Sequence, residues 1–324
     1  MLVNGKWTET WQPVQAKDEK GGFVRQASRF RNWITADGSS GPSGEGGFPA
    51  AAGRYHLYVS LNCPWASRTL IVRKLKGLED VISVMVVEPY LTDYGWRFGD
   101  FPGADRDTLN GATYLHEVYT RADPHYTGRV TVPVLWDKER QTIVNNESSE
   151  VIRMLNGAFG AFSKGDIDFY PPEFAAEIDA LNEPIYRKLN NGVYRTGFAT
   201  TQVAYEEAFR DVFEMLDELE QRLAGRTFLI GERFTETDVR TFVTLVRFDN
   251  AYHGVFKCNR QRIADYPNLT AYMARVLAIP GVRETVNIDH IKKGYYSIKA
   301  LNPNGIVPLG PVPALPANQV WRSA

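Results

Sequence analysis

Cysteine is scarce in this chain of 324 residues, which contains only Cys63 and Cys258. Two cysteines cannot build the disulfide framework of a small secreted scaffold. The third residue after Cys63 is Ala66 rather than a second cysteine, so a dithiol relay of the Cys-x-x-Cys type is excluded at this position. Any mixed disulfide formed on Cys63 must therefore be resolved by an external thiol.

The chain also lacks a surplus of either charge, because 37 Lys and Arg residues stand against 38 Asp and Glu residues. This balance leaves no basic excess to neutralise phosphates, so we do not expect a nucleic-acid-binding protein. The longest apolar runs, such as Val81–Val87, fall far short of the roughly 20 residues that cross a bilayer. The first residues show no apolar core of a signal peptide, and we expect a cytoplasmic protein without a membrane segment.

Two common kinds of ligand site are missing as well. The Gly-rich stretch Gly38–Gly53 has no Gly-Lys-Ser/Thr ending and no strand before it, so it does not match a phosphate-binding loop. The five histidines show no metal-ligand spacing, with His116 and His125 as the nearest pair, and we expect no metal.

The hydrophobic pattern divides the chain into an N-terminal arm, residues 1–53, and two domains. Residues 54–165 alternate strands and helices around an insertion at 88–128. The predicted elements are the strand His56–Ser60, the helix Pro64–Gly77, a buried strand Val81–Val87, the strands Thr131–Trp136 and Gln141–Val144, and a helix starting with Ser148–Leu155. This order predicts an α/β domain with a small mixed sheet.

Residues 166–324 show helical spacing and no strand pattern, so the second domain is predicted to be all-α. The helical segments are Pro171–Asn190, Gln202–Ala224, Glu236–Tyr252 and Pro267–Ile279. Thr235 and Asp238 have the spacing of a capping box that opens the third segment. A proline-rich tail from Ile298 onward is predicted to be extended and to pack on the surface or on a partner.

Cys63 lies where the first predicted strand meets the first predicted helix. Pro64 suits the first helical position, so Cys63 is the cap residue, and the helix terminus favours its thiolate. Lowering the pKa from ~8.5 to ~6 needs about 3.4 kcal/mol, of which the helix dipole supplies at most ~2, so hydrogen-bond donors must add the rest. This context predicts a reactive thiol, with a buried structural cysteine as the alternative. Cys258 is expected to be structural.

Two further motifs have the chemistry to bind a small peptide. Pro133 within an apolar strand indicates either an edge strand or a cis Val132–Pro133 bond that exposes the N–H and C=O of Val132 to a ligand backbone. Asn145–Ser149 ends a strand and opens a helix, where Glu147 could accept from an ammonium group and Ser148 could help bind a carboxylate. Helix capping alone explains the second motif equally well.

Aromatic residues are plentiful, and 16 of them are tyrosines. Tyr194, Tyr252 and the pair Tyr295-Tyr296 lie in the helical half near polar residues. A tyrosine facing Cys63 could donate a hydrogen bond to a thiolate or a phenolic substrate, but spacing alone selects none of them.

Together these features resemble the glutathione transferase superfamily and, more narrowly, its glutathionyl-hydroquinone reductases, the Xi class. The resemblance runs from about residue 20 to about residue 300 and implies a thioredoxin-like domain, with a mixed four-stranded sheet, followed by an all-helical bundle. The matching stretches are Gly53–Ser60, Cys63–Ala66, Leu75–Leu78, Arg129–Trp136, Asn145–Asn156, Val193–Ala199 and Asp265–Leu269. One departure is Ser67, where the family pattern leads us to expect histidine.

The resemblance implies that the protein uses glutathione as a co-substrate and assigns its contacts. Trp96, in the insertion, would lie against glutathione. Arg129 and the backbone of Val132 would hold its peptide and glycyl end. Glu147 and Ser148 would take the γ-glutamyl head.

The resemblance also implies a reaction. Cys63 would be the nucleophile, and Tyr194, Tyr252 and Tyr295 would line the pocket for an aromatic ring. S-glutathionyl-(chloro)hydroquinones would be reduced to hydroquinones through a mixed disulfide on Cys63, which a second glutathione converts to glutathione disulfide. A homodimer is implied as well. The alternatives are an omega-like, Cys-type transferase that reduces dehydroascorbate or mixed disulfides, and a non-catalytic regulatory binding protein with the same fold.

Overall fold

The computed structural model describes residues 1–8 and 16–311. Most of the N-terminal arm is irregular, but it contains two short strand pairs. The sequence analysis does not predict either of them. The first is antiparallel, β1 (Leu2–Val3) with β2 (Lys6–Trp7), and the second is parallel, β3 (Ile34–Thr35) with β4 (Phe48–Pro49). The predicted proline-rich tail lies outside the described residues beyond Pro311.

The next part of the chain forms the mixed four-stranded sheet that was expected. In chain order the elements are β5 (Tyr55–Val59), α1 (Pro64–Leu75), β6 (Ser83–Val86), β7 (Leu91–Thr92), β8 (Gly95–Trp96), α2 (Leu115–Ala122), β9 (Val134–Asp137), β10 (Thr142–Asn145) and α3 (Ser148–Gly157). The spatial order is β10-β9-β5-β6, in which β6 is parallel to β5 and β9 is antiparallel to both of its neighbours. The inner strands β5 and β9 are buried along their whole length.

Three details correct the sequence predictions. Val81–Val87 is not a buried strand throughout, because only 83–86 form β6, an edge strand on which Ser83 is exposed. The insertion at 88–128 contains α2, whose eight residues give too short an apolar repeat to stand out. Pro133 precedes β9, which is an inner strand, so the edge-strand interpretation is wrong; the Val132–Pro133 bond is cis.

From residue 166 to 311 the regular elements are helical. The α- and π-helices are α4 (Ala175–Pro184), a π-helix Ile185–Asn190, α5 (Gly192–Gly197), α6 (Gln202–Arg222), α7 (Glu236–Arg247), a π-helix Phe248–Tyr252, α8 (Pro267–Ala278) and α9 (Ile288–Tyr296). Three short 3-10 helices, Pro172–Phe174, Ile263–Asp265 and Arg283–Thr285, complete the set. All four predicted helical segments are present, but α5 and α9 were missed because they have only 6 and 9 residues. Within the described ranges, the helices are too short or too polar to span a membrane.

The predicted capping box fixes the start of α7 in the middle of the helical half. The Asp238 carboxylate accepts the Thr235 N–H at 2.9 Å, and it also accepts the Leu229 N–H and the Tyr272 hydroxyl at 3.0 Å each. Because every bond satisfies a buried polar group, this cluster ties the start of α7 to the loop at Leu229 and to Tyr272 of α8. The domain boundaries near residues 53 and 165 stay predictions.

Candidate active site

A cavity of about 600 Å³ opens between the two halves of the molecule. This volume lies within the range of roughly 300–1,000 Å³ that is typical of small-molecule sites. Its walls come from residues 23–29 of the arm, the β5–α1 turn, the loop 126–133 with the start of α3, and helices α5 and α9. Every site residue that the sequence analysis names lines this cavity except Tyr252.

Cys63 occupies the predicted position at the N-terminal end of α1. Its thiol donates a hydrogen bond to the carbonyl oxygen of Val132, with an Sγ–O distance of 3.6 Å. Burial raises the pKa of this thiol, and two helix N–H groups and two nearby guanidinium groups oppose that rise without reversing it. The prediction of a lowered pKa is therefore wrong for the protein without ligand, because desolvation outweighs the helix terminus.

Arg247, at the end of α7, fixes the turn that carries Cys63. Its buried guanidinium donates to the carbonyl oxygens of Asn62 at 2.9 Å and Leu61 at 3.0 Å, and to the hydroxyl of Ser67 at 2.6 Å. The Ser67 hydroxyl in turn donates to the Cys63 carbonyl at 3.0 Å. The serine that replaces the expected histidine thus links the helical half to the main chain of the nucleophile.

The loop before β9 exposes the backbone of Val132 to the cavity, as predicted for a cis Val132–Pro133 bond. Val132 lines the cavity, and its N–H forms no hydrogen bond with the described part of the chain. Its carbonyl accepts the Cys63 thiol. A free backbone N–H beside the sulfur is the group that an extended peptide can pair with.

The start of α3 combines a helix cap with the cavity wall. Glu147 is the cap residue, and its Oε1 accepts from the N–H of Ser149 at 3.2 Å, while its Oε2 accepts from the hydroxyl of Ser28 at 3.2 Å. Ser148 is buried, and its hydroxyl accepts from the Arg68 guanidinium at 3.3 Å. Capping is therefore confirmed, and it does not exclude ligand binding because both residues also line the cavity.

Trp96 and Arg129 line the cavity from the segments before and after α2. Trp96 belongs to the β7–β8 hairpin, which the Trp7 indole fastens by donating to the Asp93 carbonyl at 3.0 Å. Burial and the nearby Arg25 lower the pKa of Arg129 to about 10, so its guanidinium stays charged at neutral pH. No described carboxylate pairs with it, which leaves a cation available to an acidic ligand.

The three predicted tyrosines come together in one hydrogen-bonded chain. The Tyr295 hydroxyl lies 2.7 Å from that of Tyr194 and 2.8 Å from that of Tyr252. Burial raises the pKa of all three phenols, so each remains protonated at neutral pH and can donate. Tyr194 and Tyr295 face the cavity, and Tyr252 lies behind them. The hydroxyl of Tyr296 instead lies next to Gly254.

The arm supplies site residues that sequence reasoning missed. Phe23, Arg25 and Ser28 line the cavity, although they precede Cys63 by more than thirty positions in an irregular segment. The guanidinium carbon of Arg25 lies 4.7 Å from the ring centroids of both Trp65 and Tyr194. No periodicity or motif marks such residues, since their position follows only from the packing of the arm against α5.

The remaining candidates behave as structural groups. Cys258 is fully buried, and burial raises the pKa of its thiol far above the ordinary value, in line with the structural role expected for it. Among the described residues, no three His, Cys, Asp or Glu side chains are grouped so that they could hold a metal ion.

Known proteins match this chain over nearly its whole length. Residues 62–158 match the N-terminal domain of glutathione S-transferases, and residues 202–275 match their C-terminal domain. Glutathionyl-hydroquinone reductase YqjG of Escherichia coli K12 is 54% identical, over 96% of this chain and 94% of its own. Glutathionyl-hydroquinone reductase PcpF of Sphingobium chlorophenolicum is 51% identical, over 98% and 97%.

The fold comparison agrees with the sequence comparison. The glutathione-bound structure of the E. coli protein superposes with a TM-score of 0.88 at 52% identity, covering 96% of this chain and 95% of that one. With both halves matched, the chain belongs to the glutathione S-transferase family and, within it, to the branch that contains these two bacterial relatives.

Proposed function

We propose that the protein is an enzyme that reduces S-glutathionyl-hydroquinones, including chlorinated ones, to hydroquinones at the expense of glutathione. The observation that carries this proposal is the placement of a single cysteine on the same cavity as Tyr194 and Tyr295, two members of a chain of protonated tyrosines. The names of the two bacterial relatives point to the same reaction. A sulfur nucleophile and phenolic acids facing one another are what cleavage of a ring–sulfur bond requires.

Glutathione fits the polar side of the cavity. In this proposal the free N–H of Val132 pairs with its peptide backbone, and Arg129 binds its glycyl carboxylate. The α3 terminus at Ser148 takes the α-carboxylate of the γ-glutamyl head, and Glu147 takes its ammonium group. Trp96 packs against the tripeptide. The structure of the E. coli relative is glutathione-bound, which supports glutathione as the ligand of this cavity.

In the first half-reaction the Cys63 thiolate attacks the glutathione sulfur of the substrate. The ring carbon leaves with a proton, for which Tyr194 is the first candidate donor because its buried phenol faces the cavity. The hydroxyls of Tyr295 and Tyr252 lie in series behind Tyr194 and can hydrogen-bond to the phenolate that forms when Tyr194 gives up its proton. The products are the hydroquinone and a disulfide between Cys63 and glutathione.

In the second half-reaction a second glutathione attacks the mixed disulfide and releases glutathione disulfide with free Cys63. The protein cannot perform this step internally, because its other cysteine, Cys258, is buried in the helical half. Two substrates that react in turn at one sulfur predict ping-pong kinetics.

The raised pKa of Cys63 means that the resting enzyme holds a thiol. Ionisation therefore precedes attack, and the thiolate is then stabilised by the α1 terminus and by the guanidinium groups that already oppose the rise. The same thiolate could reduce a small mixed disulfide or dehydroascorbate, which is the alternative enzyme activity. A non-catalytic role is not favoured, because the thiol faces the cavity and the relatives are named as reductases.

Intact-protein mass spectrometry after one turnover tests the proposal. With one equivalent of 2-glutathionylhydroquinone and no free glutathione, we expect a glutathione adduct on Cys63 and an equal amount of hydroquinone. Cys63→Ser should give neither product, while Cys258→Ser, the matched control, should give both. Hydroquinone release without an adduct, or full turnover by Cys63→Ser, would refute the mechanism. Faster turnover with hydroxyethyl disulfide or dehydroascorbate would favour the alternative.

A homodimer and a cytoplasmic location belong to the same proposal, since both are expected from the resemblance to the family. Light scattering coupled to size-exclusion chromatography measures the mass in solution, and the mass of a single chain would contradict the homodimer. Cell fractionation tests the cytoplasmic location.

A further inference from the structure

Arg25 is a positively charged residue of the arm that the proposed mechanism does not yet use. Its side chain lines the cavity and stacks on Trp65 and Tyr194, and its Nε donates to the Asn191 side-chain oxygen at 2.7 Å. Two aromatic faces and one hydrogen bond hold the guanidinium plane in place. The remaining N–H groups are left for another acceptor.

Nothing in the described chain neutralises this charge. Arg25 forms no salt bridge with a described carboxylate, and its Nη2 nitrogen is buried without a hydrogen-bond partner. A buried donor without an acceptor costs about 1–3 kcal/mol, and more when it is charged. A cavity that retains such a group is suited to an oxygen that brings negative charge with the substrate.

The neighbours of Arg25 indicate which oxygen this is. Burial raises the pKa of both Cys63 and Tyr194, and Arg25 is close enough to oppose that rise at each of them. Cys63 is the proposed attacking group and Tyr194 the proposed proton donor, so the bond that breaks lies between them. The guanidinium of Arg25 stacks on the ring of Tyr194 at 4.7 Å, so it lies next to the proposed proton donor. It also lies near Arg129, the proposed partner of the glycyl carboxylate.

The electrons of this bond have a defined destination. Tyr194 first donates a proton to the ring carbon that carries sulfur, and the neighbouring ring hydroxyl becomes a ketone by giving its own proton back to the Tyr194 phenolate. Cys63 thiolate then bonds to the glutathione sulfur, the carbon–sulfur bond breaks, and its electron pair restores the aromatic ring. The negative charge arrives on the neighbouring oxygen, which later takes up a proton. Cys63 is oxidised to the mixed disulfide, and the ring is reduced.

We propose that Arg25 is a catalytic residue that binds this oxygen as its negative charge develops, and that it restricts the substrates to rings with a hydroxyl next to the glutathionyl carbon. The inference rests on the proposed function. Arg25 acts as an oxyanion-binding group held in place by its stacking partners, so it needs no reorganisation as the charge develops. It complements Tyr194, because one residue supplies the proton to carbon and the other accepts the charge that results.

The test compares two substrates under single-turnover conditions. 2-Glutathionylhydroquinone has the ring oxygen, whereas the mixed disulfide of glutathione and 2-mercaptoethanol has a sulfur leaving group and no ring. Arg25→Gln removes the charge, and Arg25→Lys keeps it without the planar fork. Arg140→Gln is the matched control, because Arg140 also stacks on an aromatic ring, that of Phe48 at 4.3 Å, but lies outside the cavity lining.

For Arg25→Gln we expect hydroquinone release to slow about 100-fold, the effect of removing one oxyanion donor. Reduction of the mixed disulfide should slow far less, because it loses only the help that Arg25 gives to the Cys63 thiolate. Arg25→Lys should recover part of the loss, and Arg140→Gln should behave as wild type. With chlorinated glutathionyl-hydroquinones, Arg25→Gln should slow hydroquinone release by a smaller factor, because their ring oxygens carry negative charge more readily.

Equal losses on both substrates would overturn the inference, since Arg25 would then act on Cys63 or on folding. An unchanged rate of hydroquinone release would overturn it too. If the wild-type protein reduces the mixed disulfide but never releases hydroquinone, the proposed function itself fails and the inference falls with it.

Discussion

Burial decides which groups of the cavity carry charge. The Cys63 thiol and the phenols of Tyr194 and Tyr295 all have raised pKa values because their charged forms are poorly solvated. A raised pKa suits the phenols, because a general acid must hold its proton until the ring carbon takes it. It does not suit the thiol, since only the thiolate attacks sulfur. The positive charges of Arg247 and Arg25 partly offset the rise in the pKa of Cys63.

Alkylation of Cys63 in the ligand-free protein should show this raised pKa. The thiol is the protonated form, so a raised pKa keeps the reactive thiolate scarce at neutral pH and lets it accumulate only as the pH rises. We expect the iodoacetamide rate, measured in the Cys258→Ser variant, to climb through a midpoint above the ~8.5 of a free cysteine. A midpoint below pH 7 would contradict the structure.

Tyr194→Phe should slow hydroquinone release by about 100-fold in single-turnover experiments, the lower end of what a general acid contributes. Removing this hydroxyl breaks the end of the chain that faces the cavity, but it leaves the ring beside Arg25. The matched control is Tyr296→Phe, whose hydroxyl lies next to Gly254. If both variants release hydroquinone equally fast, another group is the proton donor.

Small elements place the large side chains of the site. Trp96 lies on the two-residue strand β8, whose hairpin depends on the N-terminal residues for support. Gly95 has a φ of 82°, and a Cβ there would lie 2.9 Å from the Trp7 ring. The arm therefore shapes the site twice, through the hairpin and through its own cavity residues.

Gly95→Ala should raise KM for the glutathionyl substrate while changing kcat little, because it displaces the hairpin that carries Trp96 and leaves Cys63 in place. Gly111→Ala is the matched control, since Gly111 has a similar φ of 70° and open space around its Cβ position. Steady-state kinetics would contradict the prediction if both variants raised KM alike, because backbone strain alone would then account for the effect.

Most of the fold can be predicted because its long segments have a clear apolar period. Part of the site cannot, because it lies on helices too short to show such a period. The apolar repeat of α6 and the Thr235–Asp238 capping box mark their helices in the sequence alone. Helices α5 and α9 lack such signals, yet they carry Tyr194 and Tyr295. Those tyrosines were reached through family resemblance, and Arg25 was not reached at all, because its neighbours are distant in sequence. The raised pKa of Cys63 was missed because burial by other segments cannot be read from the local helix start.

The two halves of the protein are joined through a buried carboxylate. Glu236, at the start of α7, accepts from Arg153 of α3 at 2.9 Å, from Arg240 at 2.8 Å and from the Asn182 amide at 2.8 Å. The carboxylate is almost fully buried, and its charge balances the largely buried guanidinium of Arg240 and the partly exposed guanidinium of Arg153. This cluster connects α3, whose first residues line the cavity, to α4 and α7 of the helical half.

Glu236→Gln should lower the free energy of unfolding by about 3 kcal/mol, the cost of leaving buried charges without their partner. Urea denaturation followed by circular dichroism measures the change. Asp80→Asn is the control, because Asp80 pairs with Lys164 on the exposed surface and should leave the unfolding midpoint unmoved. Similar midpoints for the two variants would show that the Glu236 cluster does not hold the halves together.

The cavity walls are spread along the chain from the arm at Arg25 to α9 at Tyr295, and this has a consequence for biosynthesis. A ribosome releases Cys63 early, when no helical half yet covers it, and such a nascent thiol is as open to oxidants as any free cysteine. Only when Tyr295 has been translated can the three phenols assemble beside the sulfur. The proposed chemistry therefore needs nearly the whole polypeptide, although its nucleophile is made early.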